Sequence, residues 1–563
     1  MNNNYSKPCL VEARQGFSVL YNNKPLYSKY NPEEPIKKII DKLTILPNTL
    51  VICFSPLLGY GLAELFNKLP ESCHVLCIEY DSQLFDFSLT CEKSLLKSFL
   101  NSKNNLTYIS SQSPVEVAKL INNLSNADFP KIGNFKRALP IDLSGGALLN
   151  PDFYKTITTF VDDSISQFWK NRTTIMKLGR LYAGNFFKNL KDIAQSENLE
   201  IINFGNIASK AKNKILLVLG TGLSLDNFLP ELSILLQNKL SRKKLFIISV
   251  DASLPVLSKY DITPDLVVGV EGQLAIEKAY IGFAKKNINF SSDLLSRPSI
   301  KRYLTGEKSF FLSCYTEEAF FLEFSNFVKE LSIPVIPPLG SVGLVALELA
   351  ILLRHNSKNF QNIFCCGLDF TFRPGKTHCK GSHVHSHLLA NCSKLKTTEQ
   401  LVSSFTTGNF PVRNVEHENW IETIITSKTL FNYGQHFSQR FSQEPNIFDL
   451  STISINHLPT RKKADFFEYL ENFHLSEEDR TTQKVNSDMK SLIQSFLQTQ
   501  NNYLQTIKNI LTGQTKSENL EFLLTKCGYL YLHFPDGHLG AKLSQDFLKR
   551  IRAEVDYFLK IIN

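Results

Sequence analysis

The sequence predicts a multidomain α/β protein: a central, doubly wound, Rossmann-like parallel sheet, an α/β N-terminal domain and a helical C-terminal region. Three observations lead to this prediction. The chain has 563 residues, too many for one hydrophobic core when a domain holds about 150. Short apolar runs alternate with helix-like segments up to about residue 460, as in parallel sheets covered by helices. Beyond about residue 476, apolar residues recur at helical spacing.

The first predicted domain covers residues 1–200. It contains three apolar strand-like runs, at 49–54, 74–78 and 106–109. Helix-like segments follow these runs, which predicts a parallel α/β layer. Residues 126–140 and the helix-patterned 156–197 are interpreted as a connection into the next domain. The turn that begins at Ser55, with Glu79 at the end of the next strand, has the layout of a nucleotide or methyl-donor site. It has no glycine beside its strand, however, so we interpret it as structural and expect no ligand there.

The second predicted domain covers residues 201–475. Its strand-like runs lie at 215–219, 245–250, 266–270, 310–313 and 362–366. Gly220, Asp251, Glu271 and Asp369 fall where these runs end. Ligands bind at the carboxyl ends of strands in an open parallel sheet, so one cleft is expected to collect all four. Asp251 and Glu271 can hold sugar hydroxyls there, or cap the helices that follow.

A glycine turn, Gly220-Thr221-Gly222-Leu223-Ser224, follows the first of these strands and precedes a helix-like run. Glycines let a backbone approach a phosphate, and a helix N-terminus supplies free N–H groups and the positive end of a dipole. The Ser224 hydroxyl adds a donor in this interpretation. The alternative is that the glycines serve packing alone. Leu225 occupies the place of the third glycine of the dinucleotide pattern, so a dinucleotide cofactor is not expected.

A second glycine-rich start, Gly340-Ser341-Val342-Gly343, opens the apolar segment 344–353. Apolar residues all round predict a buried helix, whose N-terminus would point into the cleft. It provides a second anion site in this interpretation, unless its glycines also serve packing alone.

Histidines crowd into the loop that starts at His378 and ends at His387, with Cys379 among them. Imidazole and thiolate are zinc ligands, but the spacing matches no closed zinc site, and no metal site is predicted. The alternatives are a general base or phosphate contact, and histidines of a surface loop.

The third predicted domain covers residues 476–563. Apolar stripes at helical spacing occupy 489–511 and 547–562. We expect these helices to pack on another part of the chain or on a partner.

The composition narrows the functional classes. Hydrophobic residues make up 43% and charged residues 20%, as in soluble globular proteins. The net charge of +9 favours anionic ligands, but no dense basic block suggests a nucleic-acid partner. Eleven cysteines in no regular framework indicate reduced thiols. The sequence shows no apolar leader and no run of about 18 apolar residues, so we expect a cytoplasmic protein without a membrane span.

Taken in order, several short blocks resemble the bacterial Maf proteins, motility accessory factors that are flagellin glycosyltransferases. The blocks lie at 12–16, 27–32, 59–61, 220–225, 262–265, 340–343, 367–369 and 375–378. The central domain of that family is similar to the nucleotide-binding fold of bacterial sialyltransferases, which use CMP-activated sugars. Leu223 and Glu271 depart from the family pattern, where proline and aspartate are usual.

The resemblance implies transfer of a nonulosonic acid, of the pseudaminic or legionaminic type, from its CMP donor to Ser or Thr of flagellin, in support of flagellum assembly and motility. The donor is a substrate, and no cofactor is expected. His378 is the expected catalytic base, with His383, His385 and His436 as rivals. The expected donor-binding residues are Gly220, Thr221, Gly222, Ser224, Asp251, Glu271, Gly340, Ser341, Gly343 and Asp369.

Two rival interpretations stay open at this point. A related central domain occurs in an archaeal-type hydroxymethylpterin pyrophosphokinase, which predicts a magnesium requirement and pterin binding. A noncatalytic factor that binds flagellin is the other rival, and it would show no CMP-sugar turnover. We hypothesise that the helices of the third domain contact flagellin, whether the protein is a glycosyltransferase or a noncatalytic flagellin-binding factor.

Overall fold

The computed structural model describes residues 7–114, 116–117, 129–195, 204–283, 286–315, 318–355, 361–405, 408–417, 420–475, 487–515 and 519–563. The chain divides into two compact units, Met1–Ile175 and Met176–Asn563. The predicted domain boundaries near residues 200 and 475 stay a prediction.

The first unit holds a three-stranded antiparallel sheet and a four-stranded parallel sheet. The strands are β1 (Cys9–Glu12), β2 (Phe17–Tyr21), β3 (Lys24–Pro25), β4 (Thr49–Phe54), β5 (His74–Glu79), β6 (Leu106–Ser110) and β7 (Arg137–Asp142). The helices are α1 (Glu34–Asp41), α2 (Leu62–Lys68), α3 (Ser82–Thr90), α4 (Leu96–Ser102) and α5 (Pro151–Gln195), which continues into the second unit. The parallel sheet has the order β6-β5-β4-β7. Every residue of its central strands β4 and β5 is buried, as expected for apolar runs covered on both faces.

The interpretation of residues 126–140 as a connection is wrong at its end, because Arg137–Asp142 forms β7 and pairs with β4 in parallel. Pro140 hides this strand in the sequence, since proline lacks the N–H that a central strand needs. β7 lies at the edge of the sheet, where proline is tolerated. Residues 118–128 lie outside the described part of the chain.

The turn after β4 is closed by its own contacts. Ser55 (φ 47°) and Leu57 (φ 41°) adopt left-handed conformations and are buried. Ser55 Oγ donates to Glu79 Oε2 at 2.7 Å, and Ser144 Oγ donates to the Ser55 carbonyl at 2.8 Å. These contacts tie the turn to the end of β5 and to the segment that follows β7.

Glu79 should make the first unit less stable as the pH rises. Burial raises the pKa of this carboxyl from 4.5 to about 7, although hydrogen bonds from Ser55 and Tyr154 oppose the shift. The folded state keeps the proton up to about pH 7, whereas the unfolded chain releases it near 4.5. The contribution to stability is therefore complete below about pH 4.5 and is lost as the pH rises to about 7. Glu79→Gln should remove this fall, which amounts to about 3 kcal/mol at most.

Urea unfolding at pH 5 to 8 measures this effect. Trp169 lies in the first unit, and its indole N–H donates to the Phe135 carbonyl at 2.6 Å. Since the chain has two tryptophans, its fluorescence reports on this unit alone in a Trp420→Phe background. An equal fall in stability with pH for this background protein and for its Glu79→Gln variant would contradict the assignment.

The second unit is built on an eight-stranded sheet in which all neighbours are parallel. Its strands are β8 (Ile215–Leu219), β9 (Leu245–Val250), β10 (Leu266–Gly269), β11 (Asn289–Asp293), β12 (Lys308–Ser313), β13 (Val335–Ile336), β14 (Ile363–Cys366) and, after a hairpin, β17 (Ile447–Asp449). The hairpin strands β15 (Phe410–His417) and β16 (Trp420–Thr426) form a separate antiparallel pair. The spatial order of the strands is β13-β12-β11-β10-β9-β8-β14-β17. The chain adds β9 to β13 on one side of β8 and then returns to add β14 and β17 on the other side. The junction of β8 and β14 is the topological switch point of a doubly wound sheet.

Helices cover both faces of this sheet. The helices of this unit are α6 (Phe204–Ala211), α7 (Leu225–Leu236), α8 (Lys239–Lys244), α9 (Leu254–Lys259), α10 (Ala319–Glu330), α11 (Val342–His355), α12 (His383–Asn391), α13 (Thr398–Phe405), α14 (Lys428–Phe441), α15 (Lys463–Asn472), α16 (Ser487–Leu511), α17 (Leu520–Lys526) and α18 (Gln545–Ile562). The apolar helix α11 packs on one face with α6 and α14. Helices α7, α9 and α15 pack on the other. The predicted central fold is confirmed.

The five strands predicted for the central sheet are all present, but others escaped the sequence pattern. β11 has the sequence Asn-Phe-Ser-Ser-Asp, and Ser291, Ser292 and Asp293 are buried. Its polar composition therefore gives no apolar run. Ser292 Oγ donates to the Asp293 carbonyl at 3.3 Å, and Asp293 Oδ1 accepts the N–H of Leu295 at 3.0 Å, whereas Ser291 Oγ has no hydrogen-bond partner in the described part of the chain.

The helical C-terminal region is confirmed as well. Ile493, Leu504 and Ile507 of α16 and Ile551 and Phe558 of α18 are buried, as the apolar stripes predict. No helix in the described ranges combines the length and the apolar character needed to cross a membrane.

Candidate functional site

A cavity of about 540 Å³ opens at the carboxyl ends of β8 and β14, at the switch point of the central sheet. This volume lies within the range of small-molecule sites. The predicted site residues in its wall are Gly220, Thr221, Gly222, Ser341, Gly343, Asp369 and His378. The structure therefore brings together residues that are up to 158 positions apart, as expected for strand ends that share one edge.

The glycines of the turn after β8 are required by packing inside the chain. A methyl group at Gly220 would lie 2.2 Å from the Gly367 carbonyl oxygen. A methyl group at Gly222 would lie 2.4 Å from Asp369 Oδ2. The packing alternative therefore explains both glycines, while their backbones still form part of the cavity wall.

Ser224 and Asp369 hold the two strand-end turns together. Asp369 Oδ2 accepts the backbone N–H of Ser224 at 2.9 Å, and Oδ1 accepts its hydroxyl at 2.6 Å. The same hydroxyl accepts the N–H of Gly367 at 2.8 Å. Since its one proton is donated to Asp369, the Ser224 hydroxyl is not the phosphate donor that the sequence suggested. Burial raises the pKa of Asp369, against the lowering effect of these bonds.

We expect Gly222→Ala to destabilise the second unit by about 1 to 3 kcal/mol, because overpacking at a rigid contact forces backbone shifts. The new methyl group would displace the carboxylate that holds Ser224. Thermal unfolding of the variant measures this. Gly184→Ala is the control. A methyl group added at this helical glycine would meet only the ends of two side chains, Tyr557 Oη at 3.1 Å and Ile561 Cδ1 at 3.4 Å. Equal stability of the two variants would contradict the packing role.

The start of the histidine loop is tied to the same turn. The Cys379 N–H donates to the Thr221 carbonyl at 2.9 Å. The Lys380 N–H donates to Asp226 Oδ1 at 2.7 Å, and the Lys376 ammonium pairs with Oδ2 of the same residue. Asp226, in the first turn of α7, thus fixes the loop beside the cavity.

His378 is placed in the cavity wall by this loop. Its Nδ1 lies 2.9 Å from Thr377 Oγ1, which leaves Nε2 for a substrate. Burial, together with His383 and His385, lowers the pKa of His378 to about 4. The ring is therefore neutral near pH 7, the state that a general base requires.

The N-terminus of α11 also lines the cavity, through Ser341, Val342 and Gly343. Ser341 Oγ accepts the N–H of Gly343 at 3.3 Å. A fourteen-residue helix that begins at a cavity presents free N–H groups and a positive dipole end, which suit an anion. Gly340 precedes it with φ of 76° against the Tyr433 ring and is not part of the wall.

Asp251 and Glu271 do not line the cavity, so the expectation that one cleft collects all strand-end residues is wrong for them. Asp251 is buried at the start of the short turn after β9, where it accepts the N–H of Ala252 at 2.7 Å. Glu271 accepts the N–H of Gln273 at 2.8 Å. Both carboxylates hold their own turns, which is closer to the capping alternative.

Several wall residues were missed by the sequence interpretation, all of them on segments that follow the main motifs. They are Thr371, Ser427 and Thr429 among the polar ones. The sequence could have identified Ser427, because a serine before an amphipathic helix is a typical N-cap. Its Oγ accepts the Leu430 N–H at 3.3 Å, at the start of α14.

The histidine loop becomes helix α12 from His383 onward, with Ser382 as its N-cap. In the ranges that the structure describes, no three residues among His, Cys, Asp and Glu are placed to share a metal ion.

A family model matches one part of the chain, and a relative and a solved structure each match nearly all of it. Residues 184–375 match the family described as 6-hydroxymethylpterin diphosphokinase MptE-like. An uncharacterized protein of Treponema pallidum (strain Nichols) is 31% identical over 579 residues, covering 99% of this chain and 95% of the relative. The structure of a Maf glycosyltransferase from Magnetospirillum magneticum AMB-1 covers 99% of this chain and 91% of its own, with a TM-score of 0.53 and 11% identity. The resemblance to the Maf proteins is thereby confirmed for the fold.

Proposed function

Because the chain belongs to the family of the Treponema pallidum protein and has the fold of a Maf glycosyltransferase, we propose that it is a glycosyltransferase. It transfers a nonulosonic acid of the pseudaminic or legionaminic type from its CMP donor to Ser or Thr hydroxyls of flagellin, and so supports flagellum assembly and motility. The observation that carries the proposal is the cavity at the switch point, which is lined by both a neutral histidine and a helix N-terminus.

The donor phosphate is proposed to lie at the N-terminus of α11, near Ser341 and Gly343. There the helix dipole and free N–H groups stabilise the negative charge that builds up as CMP leaves. The backbone of the turn at Gly220 to Gly222 bounds the same space from the side of β8. The apolar wall residues Val250, Leu388 and Leu430 suit the uncharged parts of the donor.

The transfer step then follows from the placement of His378. The acceptor hydroxyl oxygen bonds to the anomeric carbon of the sugar, while the bond from that carbon to the phosphate oxygen breaks. The electron pair leaves with CMP, and the hydroxyl proton passes to Nε2 of the neutral His378 ring. His378 thereby supports deprotonation of the acceptor, and the N-terminus of α11 supports departure of the leaving group.

Release of CMP tests this proposal with purified protein. We expect CMP to form when a CMP-nonulosonic acid is supplied with unmodified flagellin, and the sugar to appear on the flagellin. Flagellin whose Ser and Thr residues are already modified is the matched control. Binding of flagellin without any CMP formation would contradict the proposal and support a noncatalytic flagellin-binding factor.

A second candidate activity is favoured by the match of residues 184–375 to the diphosphokinase family. It would transfer diphosphate from ATP to a hydroxymethylpterin with a divalent cation. AMP formation that depends on the pterin would support it, and AMP formation is not expected from the glycosyltransferase.

A further inference from the structure

Three exposed lysines surround the first turn of α12, and together we call them the lysine rim. They come from three separate segments: Lys259 ends α9, Lys278 lies in the short helix Leu274–Tyr280, and Lys380 precedes α12 in the histidine loop. Their convergence on one helix start is a product of the fold and has no counterpart in the sequence pattern.

Lys259 contacts this turn, Lys380 lies next to it in the chain, and the charges of all three lysines act on its histidines. A methyl group added at Gly381 would lie 2.6 Å from Lys259 Nζ, so the Lys259 side chain extends across this glycine. Burial lowers the pKa of His383, and the nearby charge of Lys278 lowers it further. Burial also lowers the pKa of His385, as do the charges of Lys376, Lys259 and Lys380.

The charge of the rim is not balanced by carboxylates. None of its lysines forms an ion pair with another described residue. Asp226 is the carboxylate that acts on His385, but it is paired with Lys376. Glu277, next to Lys278, is paired with Arg297. The first turn of α12 adds the positive end of its dipole to three uncompensated cations.

The rim borders the cavity, because Val384, His387 and Leu388 of α12 form part of its wall. The wall contains no lysine or arginine among the described residues. A substrate with two anionic groups therefore finds cationic side chains beside this wall, whereas the wall itself offers backbone N–H groups.

We propose that the lysine rim and the N-terminus of α12 form a second anion site, which holds one anionic group, a carboxylate or a phosphate, of the substrate that fills the cavity. This inference rests on the proposed function in taking that substrate to be a CMP-activated acidic sugar. The site is distinct from the N-terminus of α11, and it supplies affinity and faster encounter with anions.

Equilibrium binding of CMP-N-acetylneuraminic acid and of CMP to the full chain tests the second anion site. We expect the triple variant Lys259→Gln, Lys278→Gln, Lys380→Gln to bind the CMP-sugar about tenfold more weakly and to lose most of the salt dependence of binding. The matched control replaces three exposed lysines at the amino edge of the sheet, Lys239, Lys243 and Lys329, with glutamine. It should change the affinity less than about twofold.

Comparing the two ligands shows whether the rim binds the sugar carboxylate or the phosphate. Weaker binding of the CMP-sugar alone assigns the rim to the sugar carboxylate, and equal weakening of CMP assigns it to the phosphate. Unchanged affinity and salt dependence of the rim variant for both ligands would overturn the inference.

A wild-type protein that binds neither nucleotide contradicts the proposed donor and leaves the rim to be tested with inorganic phosphate. Shifts of the His383 and His385 imidazole resonances on phosphate titration, absent from the rim variant, would support the anion site. No shift in the wild-type protein would overturn it.

Discussion

Replacing His378 with alanine is expected to lower the rate of sugar transfer by about 10² to 10⁴ fold, the usual contribution of a positioned general base. The variant should fold normally, because His378 is half-buried in a cavity wall and its one hydrogen bond is to the adjacent Thr377. Release of CMP in the presence of flagellin measures the rate. Circular dichroism and thermal unfolding serve as the control for folding.

The pH dependence distinguishes a base from a contact residue. Since the pKa of His378 is lowered to about 4, the neutral form persists as the pH falls from 8 to about 5, and the rate limited by this base should stay constant over that range. His383→Ala and His385→Ala test the rivals in the same assay. A full rate for His378→Ala, or a loss seen only with a rival variant, would contradict the assignment.

Replacing Asp369 with alanine is expected to have the second largest effect. It removes the acceptor of both the N–H and the hydroxyl of Ser224 and leaves these groups without their partner at the centre of the site. Loss of a buried acceptor costs about 1 to 3 kcal/mol per unsatisfied group. The glycine turn and the turn after β14 should then separate, and donor affinity should fall at least about tenfold.

Asp369→Asn is the matched variant. Its amide oxygen can accept the Ser224 N–H while its NH₂ group donates to the Ser224 oxygen, so the bridge between the turns survives. We expect it to lose less than about 1 kcal/mol in thermal or urea unfolding. If alanine and asparagine variants have the same stability and donor affinity, Asp369 does not hold the turns together.

The sequence pattern located the central sheet because its buried strands are continuous apolar runs, such as Ile215–Leu219 and Leu245–Val250. Residues at the ends of these runs could be assigned to one edge of the sheet by topology alone. The pattern failed where a strand carries polar residues or a proline. β11 includes two serines and an aspartate among its five residues, and β7 carries a proline that only its edge position tolerates.

At the candidate site, the sequence indicated which residues meet but not what each one does there. Gly220 and Gly222 suggested close approach to a phosphate, whereas the space beside them is occupied by Gly367 and Asp369. Ser224 suggested a ligand contact, whereas its hydroxyl is used within the chain. Such partners lie more than 140 positions away, and no local pattern reports them. The lysine rim could not be predicted either, because its three lysines lie on separate segments of the chain.

The central claim is that the protein attaches a sugar to flagellin, and the intact mass of flagellin tests it most directly. Flagellin is isolated from cells with the gene, without it, and with the gene restored as the His378→Ala variant. We predict that flagellin from cells without the gene, and from cells with the variant, lacks a mass increment of the size of a nonulosonic acid for each modified residue. An unchanged mass in cells without the gene would contradict the account.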